Sequence, residues 1–278
     1  MAWSRPVGSS LSTSRGDVVG SSSVQGELWG RAANDWASLQ EVQHAPFFEA
    51  ILDTAQVGSG VRFLDAGCGG GGASVLAAER GATVSGLDAS APLIEIAAER
   101  VPDGDFRVGD LEALPFDDDS FDAVIAANSI QYAEDRIAAL RELARVATPE
   151  ARIAVGLFAS PEKVDFRVIF AAIRDALPEP PTGDGPFGLS GSGVLDRLVA
   201  RAGLNVVDSG EVNLPFAYPN IEVFWQALVS GGPVQGALDL VGEDALKQAV
   251  VEAIEPHITD SGAVLLENNS FQYVTATP

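Results

Sequence analysis

The stretch FLDAGCGGGGASV, Phe63 to Val75, decides the fold. An apolar run closes on an acid, breaks into glycines and resumes as ASVLAAERG, which reads as strand, tight turn and helix. A Gly-rich turn opening a helix attracts anions, because its bare N–H groups sit at the positive end of the helix dipole. Here a carboxylate, Asp65, stands two residues before the first glycine, Gly67. The ligand must want both the close backbone approach that glycine permits and a negative charge beside it.

Outward from the turn the alternation continues. VRFLDA and TVSGLD read as strands, and the helix between them stops at Gly81. Ser90 is placed to N-cap the helix APLIEIAAERV, with Pro92 in its first turn. DFRVGD reads as a third strand, and FDAVIAANS as a fourth, apolar enough to be buried on both faces. DRIAALRELARVA is an amphipathic helix through Ile137, Leu140, Leu143 and Ala144, and ARIAVGLFA is a fifth strand. This rhythm predicts a parallel sheet with helices on both sides.

Upstream, Leu28 to Ala55 reads as helical with a break near Pro46. Met1 to Gly26 is a Ser/Gly-rich tract without the apolar core of a secretory signal, and is expected to be a disordered leader. Downstream come a helix in KVDFRVIFAAIRDAL, the loop PEPPTGDGPFG, a helix in LSGSGVLDRLVARAG and a strand in LNVVDSGEV. Phe216 to Gly262 reads as mostly helical, clearest over Asn220–Val229 and Glu243–Ile254, and NNSFQYVTATP as a last strand.

Bulk composition narrows the partners. Of 278 residues 46% are hydrophobic, enough for a sizeable core. Lys plus Arg number 17 against 39 Asp plus Glu, a formal net charge of −22, which repels nucleic acid and anionic membrane surfaces. No apolar run approaches the roughly 20 residues that cross a bilayer. The one cysteine, Cys68, rules out an intramolecular disulfide and suits a reducing, cytoplasmic setting. The two histidines, His44 and His257, lie far apart, and no metal site is expected.

Gly67, Gly69 and Gly72 also satisfy G-x-G-x-x-G, the dinucleotide fingerprint. A dinucleotide would set its pyrophosphate on this turn, where Asp65 opposes it at more than about 1 kcal/mol. S-adenosylmethionine has no phosphate and is net cationic, so Asp65 can face its ammonium. Asp88, closing the second strand, suits two ribose hydroxyls but is found similarly in NAD enzymes. Asp110, after the third strand, can pair with an adenine amino group while Leu111 packs on the base. Three acids closing successive strands would line one cofactor along the sheet's carboxyl edge.

LDAGCGGG, the Asp88 of GLDAS, GDLEALPFDDDSFDAV and LRELARVATPEARI, in that order, resemble the class I S-adenosylmethionine-dependent methyltransferases of the small-molecule type. The likeness covers about Val61 to Phe158. It implies a Rossmann-like doubly wound seven-stranded sheet, mostly parallel with an antiparallel last strand, helices on both faces and a helical cap. It implies one domain over 27–278, with its core in 58–160, 203–215 and 266–278 and its cap in 28–56, 160–190 and 216–262. By the same resemblance Asp65, Gly67 and Gly69 meet the methionine end, Asp88 the ribose, and Asp110 and Leu111 the adenine, with Ala89 a further cofactor-binding residue. Asn128 would face the methyl group, and Trp36 of the leading helix either meets the cofactor or packs in the core. Two departures stand out: Tyr132 in IQYAED where many relatives carry histidine, and TPEAR where many have Pro-Gly-Gly.

Methyl transfer from a sulfonium needs alignment more than acid–base help, so no catalytic residue is assigned. His44 reads equally as a helix-surface residue or a base. Phe187, Phe216, Tyr218, Phe224 and Trp225 are candidate lining for an apolar or aromatic acceptor, or cap core. The expected activity is methyl transfer to oxygen, nitrogen or carbon, leaving S-adenosylhomocysteine. The alternatives are S-adenosylmethionine binding without methyl transfer, as in a cyclase or a binding protein, and an NAD(P)-dependent oxidoreductase.

Overall fold

The computed structural model describes residues 21–179 and 185–278. Helix α1 (Ser21–Gly30) leads into a one-turn α2 (Ala33–Asp35), a wide helical turn over Trp36–Gln40, a tight one over Glu41–His44, and α3 (Ala45–Thr54). There follow β1 (Arg62–Ala66), α4 (Gly72–Glu79), β2 (Thr83–Asp88), α5 (Ala91–Arg100), β3 (Asp105–Val108) and β4 (Phe121–Ala127). Next come α6 (Arg136–Val146), β5 (Ala147–Phe158), α7 (Arg167–Ala176), α8 (Val194–Arg201) and β6 (Asn205–Asn213). The chain continues through β7 (Phe216–Tyr218), α9 (Ile221–Val229), α10 (Gly232–Val241), α11 (Glu243–Ile254), β8 (Val264–Leu266) and β9 (Ser270–Thr277).

The main sheet has seven strands in the order β3-β2-β1-β4-β5-β9-β6. All its pairings are parallel except those of β9, which runs antiparallel to both β5 and β6. This is the predicted Rossmann-like sheet with its antiparallel last strand. Alternation along each central strand explains the two covered faces. Phe63, Ala123, Ile125 and Ala154 pack on one side with Phe47, Ile51 and Leu52 of α3. Leu64, Val124, Ala126, Ile153 and Val155 pack on the other with Leu140 and Leu143 of α6. The turn before α6 is closed by Asp135, whose carboxylate accepts from the Ile137 and Ala138 N–H groups.

Four local expectations are corrected. The expected leader runs to Gly26, but Ser21–Gly26 belongs to α1; residues 1–20 lie outside the described residues. This helix has no strong apolar stripe to betray it, and it docks through absent side chains instead. A Cβ on Gly26 would overlap the Ala89 carbonyl, and one on Gly30 would stand 3.1 Å from Ser90 Oγ. Second, α3 is not cap but a core layer against the sheet, because Phe47, Ile51 and Leu52 are all fully buried. Third, Phe216–Tyr218 is a strand paired with β8, its side chains alternating buried, exposed, buried. Fourth, Ser90 occupies the N-cap of α5 without capping it, and its Oγ is buried with no partner among the described residues. Pro92, at the second helical position, removes one of the N–H groups it would have served. Part of the loop PEPPTGDGPFG, residues 180–184, also lies outside the described residues.

Candidate functional site

Parallel strands end at one edge, and that edge carries the acids. Asp65 closes β1, Asp88 closes β2, Asp110 lies just past β3 and Asn128 just past β4. They share one cavity of about 940 Å³, counting its open mouth. Gly67, Gly69, Ala89, Leu111 and Trp36 line it too, so every cofactor-binding candidate read from the sequence comes to one place.

Asp65 is 1% exposed, and its Oδ2 accepts from Ser74 Oγ at 2.8 Å. Burial raises its carboxyl to about 7 against the pull of Ser74, with the nearby charges of Glu41 and Asp88 adding to the rise. Asp88 is tied down by backbone. Its Oδ2 accepts from Gly69 N–H and its Oδ1 from Ser90 N–H, both at 2.9 Å. Burial raises this carboxyl as well, against those backbone donors. Asp110 Oδ1 accepts from Glu112 N–H at 2.9 Å, which holds the turn after β3. Asn128 takes a left-handed backbone at φ 55°, and its Oδ1 accepts from Gln131 Nε2 at 2.7 Å.

The residue that sequence reasoning missed is Glu41. It is 2% exposed and reaches from the turn before α3 into the glycine turn. Its Oε1 accepts from Gly70 N–H at 2.7 Å, and its Oε2 from Arg100 Nη1 at 2.7 Å. Arg100 also donates to the carbonyls of Gly70 and Ala37, both at 2.8 Å. One ion pair thus pins the leading segment, the glycine turn and α5 together. The glycines make room for it: a Cβ on Gly69 would lie 2.7 Å from Glu41 Oε1, and one on Gly72 3.1 Å from Glu41 Cγ. Nothing in EVQH marks that glutamate as internal, because its partners lie 29 and 59 residues away.

The remaining wall is aromatic and uncharged. Trp29 stands edge-on to Trp36 at 4.6 Å and to Tyr132 at 5.7 Å between ring centroids, and all three line the cavity. His44 lines it as well and is 4% exposed, which excludes the surface reading. Its Nδ1 lies 3.1 Å from the Gln40 carbonyl, and burial lowers it to about 4, leaving it neutral near pH 7. Burial likewise raises Tyr132 to about 12, partly offset by a hydrogen bond with Gln131. Phe216, Tyr218, Phe224 and Trp225 do not line this cavity. They are core, at most 4% exposed, and pack in the same apolar cluster as Leu246, Val250 and Ile254 of α11. Phe187 packs on Phe158 and Phe170 instead. Cys68 is buried in the turn, where burial pushes its thiol well up and disfavours the thiolate. Among the described residues no helix is long and apolar enough to cross a membrane.

Residues 64–155 match the family model described as a methyltransferase domain. An uncharacterized protein of Mycobacterium tuberculosis is 36% identical over 132 residues, 46% of this chain and 47% of that one. A demethylmenaquinone methyltransferase of Renibacterium salmoninarum is 35% identical over 129 residues, 46% of this chain and 54% of that one. The chain spans about half the length of the curated relatives it matches. Its fold is shared with the solved (4+2)-cyclase SpnF, with TM-score 0.56 and 21% identity over 84% of this chain and 80% of that one. The matched segment, residues 64–155, contributes five strands of the sheet and the acids along its carboxyl edge, so the stretch similar to a methyltransferase domain is also the stretch that carries most of the site.

Proposed function

We propose that the cavity binds S-adenosylmethionine and that the chain transfers its methyl group to an apolar or aromatic small molecule. One observation carries this reading. The N–H groups of Gly69 and Gly70, which a pyrophosphate would need, are already bonded to carboxylates of the same chain, Asp88 and Glu41. Among the described residues Asp65, buried beside them, has a hydroxyl for its partner and no cation. Such a site fits a phosphate-free, positively charged nucleoside, and the pyrophosphate of a nicotinamide dinucleotide would find these donors already taken.

When bound, the sulfonium supplies an electrophilic methyl and a neutral leaving group. The chain's own work is then to hold and to shield. Asp65 faces the ammonium, Asp88 the ribose hydroxyls, and Asp110 with Leu111 the adenine. Trp29, Trp36 and Tyr132 form a dry wall on the remaining side, where alignment can supply up to about 7–11 kcal/mol. His44 and Tyr132 carry no charge near neutral pH, so this wall suits an acceptor without charge. The name of the Renibacterium relative, a demethylmenaquinone methyltransferase, supports an aromatic acceptor.

Calorimetry with S-adenosylhomocysteine and NADH tests the cofactor, and product mass tests the transfer. A gain of one methyl per cofactor consumed is the expected result; substrate turnover without cofactor loss would replace transfer with a binding or cyclase role. Asp88→Ala should weaken S-adenosylhomocysteine roughly tenfold to a hundredfold, about 1–3 kcal/mol, the cost of stranded hydroxyls. It should also lower the melting temperature, because Gly69 and Ser90 lose their acceptor. Unchanged affinity would remove Asp88 from the site.

A further inference from the structure

We propose that Glu41 is a specificity-determining residue: its carboxylate fills the anion seat of the glycine turn and bars phosphate-bearing nucleotides from the cavity. The inference rests on the cofactor reading above and names what enforces it. A Gly-rich turn ahead of a helix is a ready anion site, and here the anion comes from the chain itself. The two groups that hold the carboxylate are the Gly70 N–H and the Arg100 guanidinium, each at 2.7 Å. A backbone N–H and a guanidinium are also the donors that a phosphate takes.

The seat is built around this one side chain. Glu41 is 2% exposed. A Cβ on Gly70 would stand 3.1 Å from Glu41 Oε2 and 2.9 Å from the Ala37 methyl. The glycines therefore admit a protein side chain where a dinucleotide-binding turn leaves room for pyrophosphate. Glu41 also adds its charge beside Asp88, so a phosphate is opposed by occupancy and by field together. Arg100, which would otherwise attract phosphate, is neutralised in the same stroke.

The test is a gain of binding in the full chain, read by calorimetry with ADP and, in parallel, with S-adenosylhomocysteine. Glu41→Ala vacates the seat and frees Arg100, and should bind ADP at least tenfold more tightly than the native protein. Glu41→Gln should show a smaller gain, because its amide oxygen still accepts from Gly70 N–H while its charge is gone. In both variants the Gly70 amide resonance should move on adding ADP. If either variant melts cooperatively and binds ADP within twofold of native, the proposal is overturned. A gain that leaves the Gly70 resonance in place overturns it too, since ADP would then sit elsewhere. Failure of the native protein to bind S-adenosylhomocysteine is a separate result: it defeats the cofactor reading and leaves the anion seat to be judged on ADP alone.

Discussion

The substitution Asp65→Asn is expected to make the free protein more stable above neutral pH and to weaken S-adenosylhomocysteine tenfold to a hundredfold. Both effects follow from burying one carboxyl. In the folded chain Asp65 holds its proton up to about 7, against an ordinary carboxyl near 3.8. Between those values the folded state carries a proton that the unfolded chain has lost, so stability falls as pH rises through the window. By pH 8 the accumulated cost is on the order of 4 kcal/mol. His44 has the opposite sign. Its folded value is about 4 against 6.5, so stability rises with pH over that interval. The two slopes oppose each other up to about 6.5, and from there to about 7 the raised Asp65 carboxyl goes on lowering stability without that offset. The Asp65→Asn variant should therefore melt higher as pH rises to about 6.5 and then level off, where the native protein declines.

Ligand affinity moves the other way. Pairing with an ammonium would lower the Asp65 value and expel its proton, so native affinity should climb about tenfold per unit up to pH 7 and then flatten. The asparagine variant loses a charge-assisted bond of about 1.5–3 kcal/mol and should show no such climb. A variant with native affinity and a native pH profile would place the ammonium elsewhere. Stability and binding change in opposite directions here, which distinguishes a site residue from a purely structural one.

The second large effect belongs to Gly67. Its φ of 82° lies in the left-handed region, and a Cβ there would overlap the Ser129 side chain. Ser129 cannot yield freely, because its Oγ donates to the Ala66 carbonyl at 2.7 Å and the residue is 8% exposed. Gly67→Ala should cost about 1–2 kcal/mol in backbone strain and about 1–3 in overpacking. At roughly 2–4 °C per kcal/mol the melting temperature should drop by about 4–20 °C. Gly60 is the control, with φ 80° and nothing within 4 Å of a Cβ. Gly60→Ala should show the strain cost alone. Equal losses at both positions would mean that Ser129 does not constrain the turn.

These two residues also show how far a sequence can be read. Asp65 is legible because its charge argues with the glycines beside it, and chain order alone puts Asp88 and Asp110 on the same edge. Gly67 is legible as a necessary glycine, but for the wrong neighbour: the sequence suggests backbone approach to a ligand, and Ser129 is what a side chain would strike. Glu41 and Arg100 are not legible, since an acid on one helical turn and a base ending another carry no mark of meeting. The helix α1 escapes because it docks by what its glycines lack. The strand β7 escapes because three residues give too short an alternation to separate from a helix.

The place of β9 has a kinetic consequence. It lies between β5 and β6, yet it is made after β6 and after every helix from α9 to α11. During synthesis β6 has no neighbour to bond, and the region from α9 to α11 emerges while that side of the sheet is still open. Pairings so distant along the chain are slow to form, and an unpaired strand waiting for its partner invites association with other copies. Closing the gap is thus a late event, and the nascent protein passes through a form with a bare strand before it can mature.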